Sequence, residues 1–115
     1  MDIGLDEIYL EGTEIDFLQV MVNSMANSID AIKNESEQWI KVLWEDNCLK
    51  IIDSGQGISP EIVPKLFEKF YTSKGVQGNG IGLYLSKEIL NKWGYDLSYS
   101  LEQGNTCFKW SEIKK

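Results

Sequence analysis

The sequence predicts an α/β two-layer sandwich of the α+β kind, with a mixed, mainly antiparallel sheet covered on one face by about three helices. Three observations carry this expectation. Apolar residues recur at helical spacing from Thr13 to about Lys33. Two pairs of alternating segments, 39–53 and 95–110, each fold around a short turn. A second helical spacing runs from Gly80 to Trp93. At 115 residues the chain has room for one hydrophobic core and not two, so residues 1–115 are expected to form a single domain.

Taken in order, Ile8 to Leu10 reads as a short first strand. Thr13 offers a helix cap, with Asp16 three residues on in a capping-box-like arrangement. Ile15, Leu18, Val22, Met25, Ile29 and Ile32 then recur at helical spacing and form the apolar stripe expected to face the core. Gln19, Asn23, Asn27 and Asp30 form a second, polar stripe. Trp39–Trp44 and Leu49–Asp53 are strands joined at Glu45-Asp46-Asn47, a hairpin pattern in which apolar residues alternate. Pro60 is expected to open a short helix reaching toward Phe70. Residues 72–79 read as a mobile loop, Gly94 as the stop of the next helix, and Gln103-Gly104-Asn105 as the turn of the last hairpin. Trp39, Trp44, Trp93 and Trp110 fall where packing is expected.

Composition narrows the chemistry. Hydrophobic residues make up 43% and charged ones 25%, as in an ordinary globular protein. The net charge of -7 argues against a nucleic-acid partner, which needs a basic face. No run approaches the roughly 20 apolar residues of a membrane span, and the start of the chain lacks the basic and apolar regions of a signal peptide. No membrane contact and a cytoplasmic location are expected, either of the chain itself or as the cytoplasmic part of a larger membrane-attached protein. Cys48 and Cys107 belong to no CxxC pair and read as reduced packing residues. The chain has no histidine, which removes Ser-His-Asp and Cys-His catalysis and most zinc chemistry.

Three segments can carry chemistry. Asn23 and Asn27, four apart on a helix, can aim carboxamide oxygens at one point, a donor type that suits Mg²⁺; a solvated helix face is the alternative. Asp53-Ser54-Gly55-Gln56-Gly57 follows an apolar strand, so the aspartate can accept from an exocyclic amine while the glycines let a flat base approach; a plain strand-to-helix turn is the alternative. Gly78-Asn79-Gly80-Ile81-Gly82-Leu83 leads into a helix and can offer backbone N–H groups to phosphates, though glycine-rich loops also occur without such a role. Lys74 either reaches a terminal phosphate or is solvated.

Together and in this order the segments resemble the motifs of the GHKL family of ATPases and kinases. Residues 23–31 are similar to its N box, 53–57 to its G1 box, 66–74 to its F box, 78–83 to its G2 box, and 104–108 to its final glycine-threonine motif. The resemblance implies the Bergerat fold, with Mg-ATP held under a short lid. It implies Asn27 as the magnesium ligand, Asp53 as the adenine acceptor, Gly57 as the residue that makes room for the base, and Thr106 as support for Asp53 or the base through water. It implies that Asn23 assists the metal or phosphates, that Gly80 and Gly82 with nearby amides hold phosphates, and that Lys74 neutralises the γ-phosphate. Asp30, Gly55, Ile58, Tyr71, Thr72, Ser73, Gly78, Ile81 and Leu83 complete the implied nucleotide-binding set.

Branches of this family that hydrolyse ATP carry a glutamate four residues before the metal asparagine. Here that residue is Asn23, which cannot take a proton at neutral pH. The resemblance therefore points to the catalytic ATP-binding domain of a two-component sensor histidine kinase, catalytically dependent on Asn23, Asn27 and Lys74. The acceptor histidine must come from a phosphoacceptor and dimerisation domain elsewhere, with a response regulator as an indirect partner. A non-catalytic nucleotide switch and a GHKL hydrolase or serine kinase are the alternatives.

Overall fold

The computed structural model describes residues 2–4, 13–68 and 82–113. Among these residues, five strands form one sheet in the order β1-β2-β3-β5-β4, with two α-helices on one face. Strand β1 (Asp2–Gly4) pairs in parallel with β2 (Ile40–Glu45), and every other pairing is antiparallel. The segment expected to be the first strand, residues 8–10, lies outside the described residues. Strand β2 turns into β3 (Cys48–Asp53) through Asp46 and Asn47, and β4 (Tyr95–Glu102) turns into β5 (Asn105–Glu112) through Gln103 and Gly104. All four turn residues have positive φ, the left-handed pair that matches the twist of two antiparallel strands. Alternation then sends Ile40, Val42, Leu49, Ile51, Leu97, Phe108 and Trp110 toward the helices as one core cluster.

Helix α1 (Glu14–Ile32) starts where expected: the Thr13 hydroxyl accepts the Asp16 N–H at 3.2 Å. The Asp16 side chain serves another purpose, accepting the Trp93 indole N–H at 2.7 Å and so tying α1 to the end of α2 (Gly82–Lys92). The face that α1 buries corrects the sequence expectation. Val20, Ser24, Ser28 and Ile32 form its buried line, whereas Ile15, Leu18, Val22 and Ile29 of the predicted core stripe are exposed. The reason is steric. Ser24 and Ser28 lie on the side of α1 that meets α2 and β3, and small side chains at a helix contact let the backbones come close.

Two further expectations change. The helix expected from Pro60 is a series of turns containing a short 3-10 helix, Val63–Lys65. Pro64 has no N–H to offer the carbonyl four residues earlier, so an α-helix begun at Pro60 fails there. The described helical layer is accordingly two α-helices and this short turn. Trp110 is buried and Trp39 and Trp93 are half-buried, but Trp44, at the end of β2, is exposed. Cys48 and Cys107 are both free thiols, and Cys107 is fully buried. On the sheet face that carries no helix, Lys50 binds Glu45 at 2.8 Å and Glu102 at 2.7 Å, and these carboxylates hold its ammonium well above the ordinary lysine range.

Candidate functional site

A cavity of about 180 Å³ opens between α1 and the ends of β3 and β5. Asn27, Asp30 and Ala31 line it from α1, Asp53, Gly57 and Ile58 from the turn after β3, and Thr106 and Phe108 from β5. Leu66 and Leu83 complete the described lining. Pockets that hold a whole drug-sized ligand generally measure roughly 300–1,000 Å³, so the described walls suit one flat ring system better than a complete nucleotide.

Asp53 sits at the bottom with 1% of its surface exposed. Its carboxylate accepts the Gly55 N–H at 2.8 Å and hydrogen bonds from the hydroxyls of Ser28 and Thr106. Burial pushes its carboxyl above the ordinary range, against the pull of those hydrogen bonds, and the nearby Glu35 charge adds to the rise. A side chain at Gly55 would put its Cβ 2.7 Å from Asp53 Oδ1, so only glycine leaves this carboxylate in place.

The turn that follows is held by its own backbone groups. Ser54 N–H donates to the Trp39 carbonyl at 3.0 Å, while the Ser54 hydroxyl accepts the Trp39 N–H at 3.1 Å. The Gly55 carbonyl accepts Thr106 N–H at 3.2 Å and Asn105 Nδ2 at 3.1 Å. Gly57 N–H donates to the Thr106 hydroxyl at 2.9 Å, and Ile58 N–H to the Tyr99 hydroxyl at 2.8 Å. Gly57 has φ +92, a conformation that side chains other than glycine rarely adopt. Nearly every donor of the turn is thus satisfied by the sheet, which makes it a stiff wall.

Of the sequence-derived site residues, the structure brings Asn27, Asp30, Asp53, Gly57, Ile58, Leu83 and Thr106 to one cavity. Gly55 stands behind Asp53, and Asn23 lies one turn along α1 from Asn27, donating its Nδ2 to the Ser86 hydroxyl at 3.4 Å. Gly82 begins α2. Tyr71, Thr72, Ser73, Lys74, Gly78, Gly80 and Ile81 lie outside the described residues. Sequence reasoning missed Ala31, Leu66 and Phe108 as lining, and Ser28 and Tyr99 as supports. Ala31 was within reach, being one helical turn beyond Asn27, and Phe108 shares its strand face with Thr106. Among the described residues, no group of three His, Cys, Asp or Glu side chains could hold a metal ion by itself. The carboxamides of Asn23 and Asn27 fit a magnesium ion that brings phosphate oxygens with it. No helix among the described residues is long and apolar enough to cross a membrane.

Residues 12–114 match the family model described as histidine kinase-, DNA gyrase B-, and HSP90-like ATPase. The C4-dicarboxylate transport sensor protein DctB of Rhizobium meliloti is 31% identical over 112 residues, covering 94% of this chain and 18% of that protein. The sensor protein FixL of Bradyrhizobium diazoefficiens is 28% identical over 99 residues, covering 82% of this chain and 19% of that protein. The chain thus spans less than a fifth of either relative. Among solved structures, a mycobacterial sensor histidine kinase, MprB, superposes with a TM-score of 0.79 at 21% identity, over 95% of this chain and 77% of that one. The catalytic domain of histidine kinase ThkA gives 0.73 at 22% identity, over 98% and 78%. At these identities the structures establish the shared fold.

Proposed function

The chain belongs to the histidine kinase-, DNA gyrase B-, and HSP90-like ATPase family, and from that premise we propose that it is the catalytic domain of a sensor histidine kinase. In this reading residues 1–115 form one domain that binds Mg-ATP and donates its γ-phosphate to a histidine on another domain or chain. The observation that carries it is Asp53, a carboxylate buried at the end of a cavity sized for a flat base. There it accepts the exocyclic amine of adenine, while a base presenting a carbonyl at the same point meets two oxygens without a proton between them.

The remaining roles follow from position. Gly57 and Ile58 support one side of the base and Leu83 the other, with Thr106 bridging Asp53 and the turn. Asn27, assisted by Asn23, holds the magnesium ion, which when bound supplies charge neutralisation to the phosphate oxygens. Asp30 borders the same opening. Gly82, at the start of α2, offers its backbone N–H to the phosphates. Tyr71, Thr72, Ser73, Lys74, Gly78, Gly80 and Ile81 are assigned to the lid and the phosphates on the sequence motifs alone.

Asn23 supports phosphotransfer over hydrolysis. A carboxamide whose Nδ2 already donates to Ser86 cannot abstract a proton from water. The attacking nitrogen is then an imidazole, which forms the N–P bond as the bond to the ADP oxygen breaks, and needs only alignment and charge stabilisation. The partner is therefore a histidine-bearing phosphoacceptor and dimerisation domain, with a response regulator downstream. The need for ATP favours a cytoplasmic location.

Calorimetric titration of Mg-ATP and Mg-ADP into the wild type and Asp53→Asn tests the nucleotide site. The wild type is expected to bind both, and Asp53→Asn to lose at least about tenfold in affinity, the worth of one hydrogen bond to a charged group. Adding a phosphoacceptor domain is then expected to yield acid-labile phosphohistidine. A folded wild type that binds neither nucleotide overturns the proposal.

A further inference from the structure

The family motifs assign no role to β4, yet β4 touches the back of the wall that faces the cavity. Tyr99 stands opposite Phe108 in the β4–β5 register, with ring centroids 5.7 Å apart, and Phe108 lines the cavity. From that position the Tyr99 hydroxyl accepts the Ile58 N–H at 2.8 Å, across 41 residues of sequence. It also limits the turn at Gly57, where an added Cβ would sit 3.0 Å from the hydroxyl and 2.6 Å from Leu101 Cδ2. Gly57 and Ile58 are themselves lining residues. The hydroxyl therefore touches the outside of a wall whose inside is the cavity.

We propose that Tyr99 is a positioning residue for the base: its hydroxyl sets how far the Gly57–Ile58 wall stands from Asp53, and so the width of the slot that a purine enters. The proposal rests on the reading of this cavity as the adenine site. Its physical basis is that the wall is fixed from two sides by independent acceptors. Thr106 holds Gly57 N–H from β5, and Tyr99 holds Ile58 N–H from β4. With either acceptor removed, a part-buried N–H loses its partner and the turn relaxes to recover one, into the slot or away from it. The Tyr99 ring has a separate function in packing on Phe108, which is T-stacked in turn on Phe67 at 6.5 Å. Tyr99→Phe keeps the ring and removes only the hydroxyl.

Two measurements on this chain decide the matter. In amide hydrogen exchange followed by NMR, the wild-type Ile58 N–H is expected to be protected. In Tyr99→Phe it is expected to exchange at least about tenfold faster, while the Gly55 and Gly57 amides, bonded to Asp53 and Thr106, stay protected. A merely structural loss would speed all three together. In calorimetry the Mg-ADP Kd of Tyr99→Phe is expected to rise about fivefold. An Ile58 amide that exchanges freely in the wild type overturns the proposal, whether or not the variant folds. An unchanged Kd in a folded Tyr99→Phe variant, beside a wild type that binds Mg-ADP and an Asp53→Asn that binds it at least about tenfold more weakly, overturns this proposal and leaves the adenine site standing. A folded wild type that binds no nucleotide removes both.

Discussion

Helix α1 carries two valines two residues apart with opposite fates: Val20 is 0% exposed and Val22 is 57% exposed. The contrast extends along the whole helix. On one side Ser24 and Ser28 are buried, and on the other Ile15, Leu18 and Ile29 stand in solvent at 77%, 62% and 59% exposure. Hydrophobicity alone would have turned the helix the other way. Small size outweighs the poor hydrophobicity of the buried serines, because it lets α1 come close to its neighbours, and the Ser28 hydroxyl also donates to Asp53. The helix is thus oriented by the site as much as by the core, and its apolar outer stripe is a consequence.

The strongest way to break this contrast is Ser28→Leu. It adds bulk beneath Asp53 and removes one of that residue's hydrogen bonds, so urea unfolding is expected to show a loss of about 3 kcal/mol, with nucleotide binding abolished. The matching exchange on the outer side, Ile29→Ser, is expected to cost under about 0.5 kcal/mol and leave binding unchanged. Equal effects at the two positions would mean that α1 is seated differently.

The two valines give a smaller and cleaner comparison. Val20→Ala leaves a cavity in the packed core and is expected to cost about 2 kcal/mol in the same experiment. Val22→Ala, identical in chemistry, is expected to cost less than about 0.5 kcal/mol.

The smallest effect is electrostatic. Burial raises the Asp53 carboxyl above its ordinary value of 3.8. A raised carboxyl favours the native state most when protonated, a contribution present below the unfolded value and lost as pH rises through the folded one. Relative to Asp53→Asn, the wild type should therefore gain stability as pH falls from neutrality toward that ordinary value. Mg-ADP affinity is expected to fall over the same window, because the carboxylate that accepts the exocyclic amine is being protonated. A stability gap between the two proteins that does not change with pH would contradict the buried position of Asp53.

Much of the fold is legible in the order of the residues. The Thr13 cap, the turns at Asp46-Asn47 and Gln103-Gly104, and the alternation that follows each of them are local signals, and they place α1 and both hairpins within a residue or two. The site is partly legible for the same reason. Asn27 and Asp30 follow from helix spacing and Asp53 and Gly57 from a strand that ends in a glycine turn, while Thr106 comes only from the resemblance of residues 104–108 to the family's final glycine-threonine motif. The short helix expected after Pro60 fails on an equally local fact, since Pro64 stands in plain view four residues on.

Local sequence settles which segments are helix, strand and turn, and which motif residues stand near one another along each element, because those depend on contacts within a few residues. Long-range packing alone settles which side of α1 is buried, that Ser28 supports Asp53, and that Tyr99 and Thr106 hold a turn 41 and 49 residues away. Those facts depend on the register of β4 against β5 and on how closely two helices approach, and no local period encodes either distance.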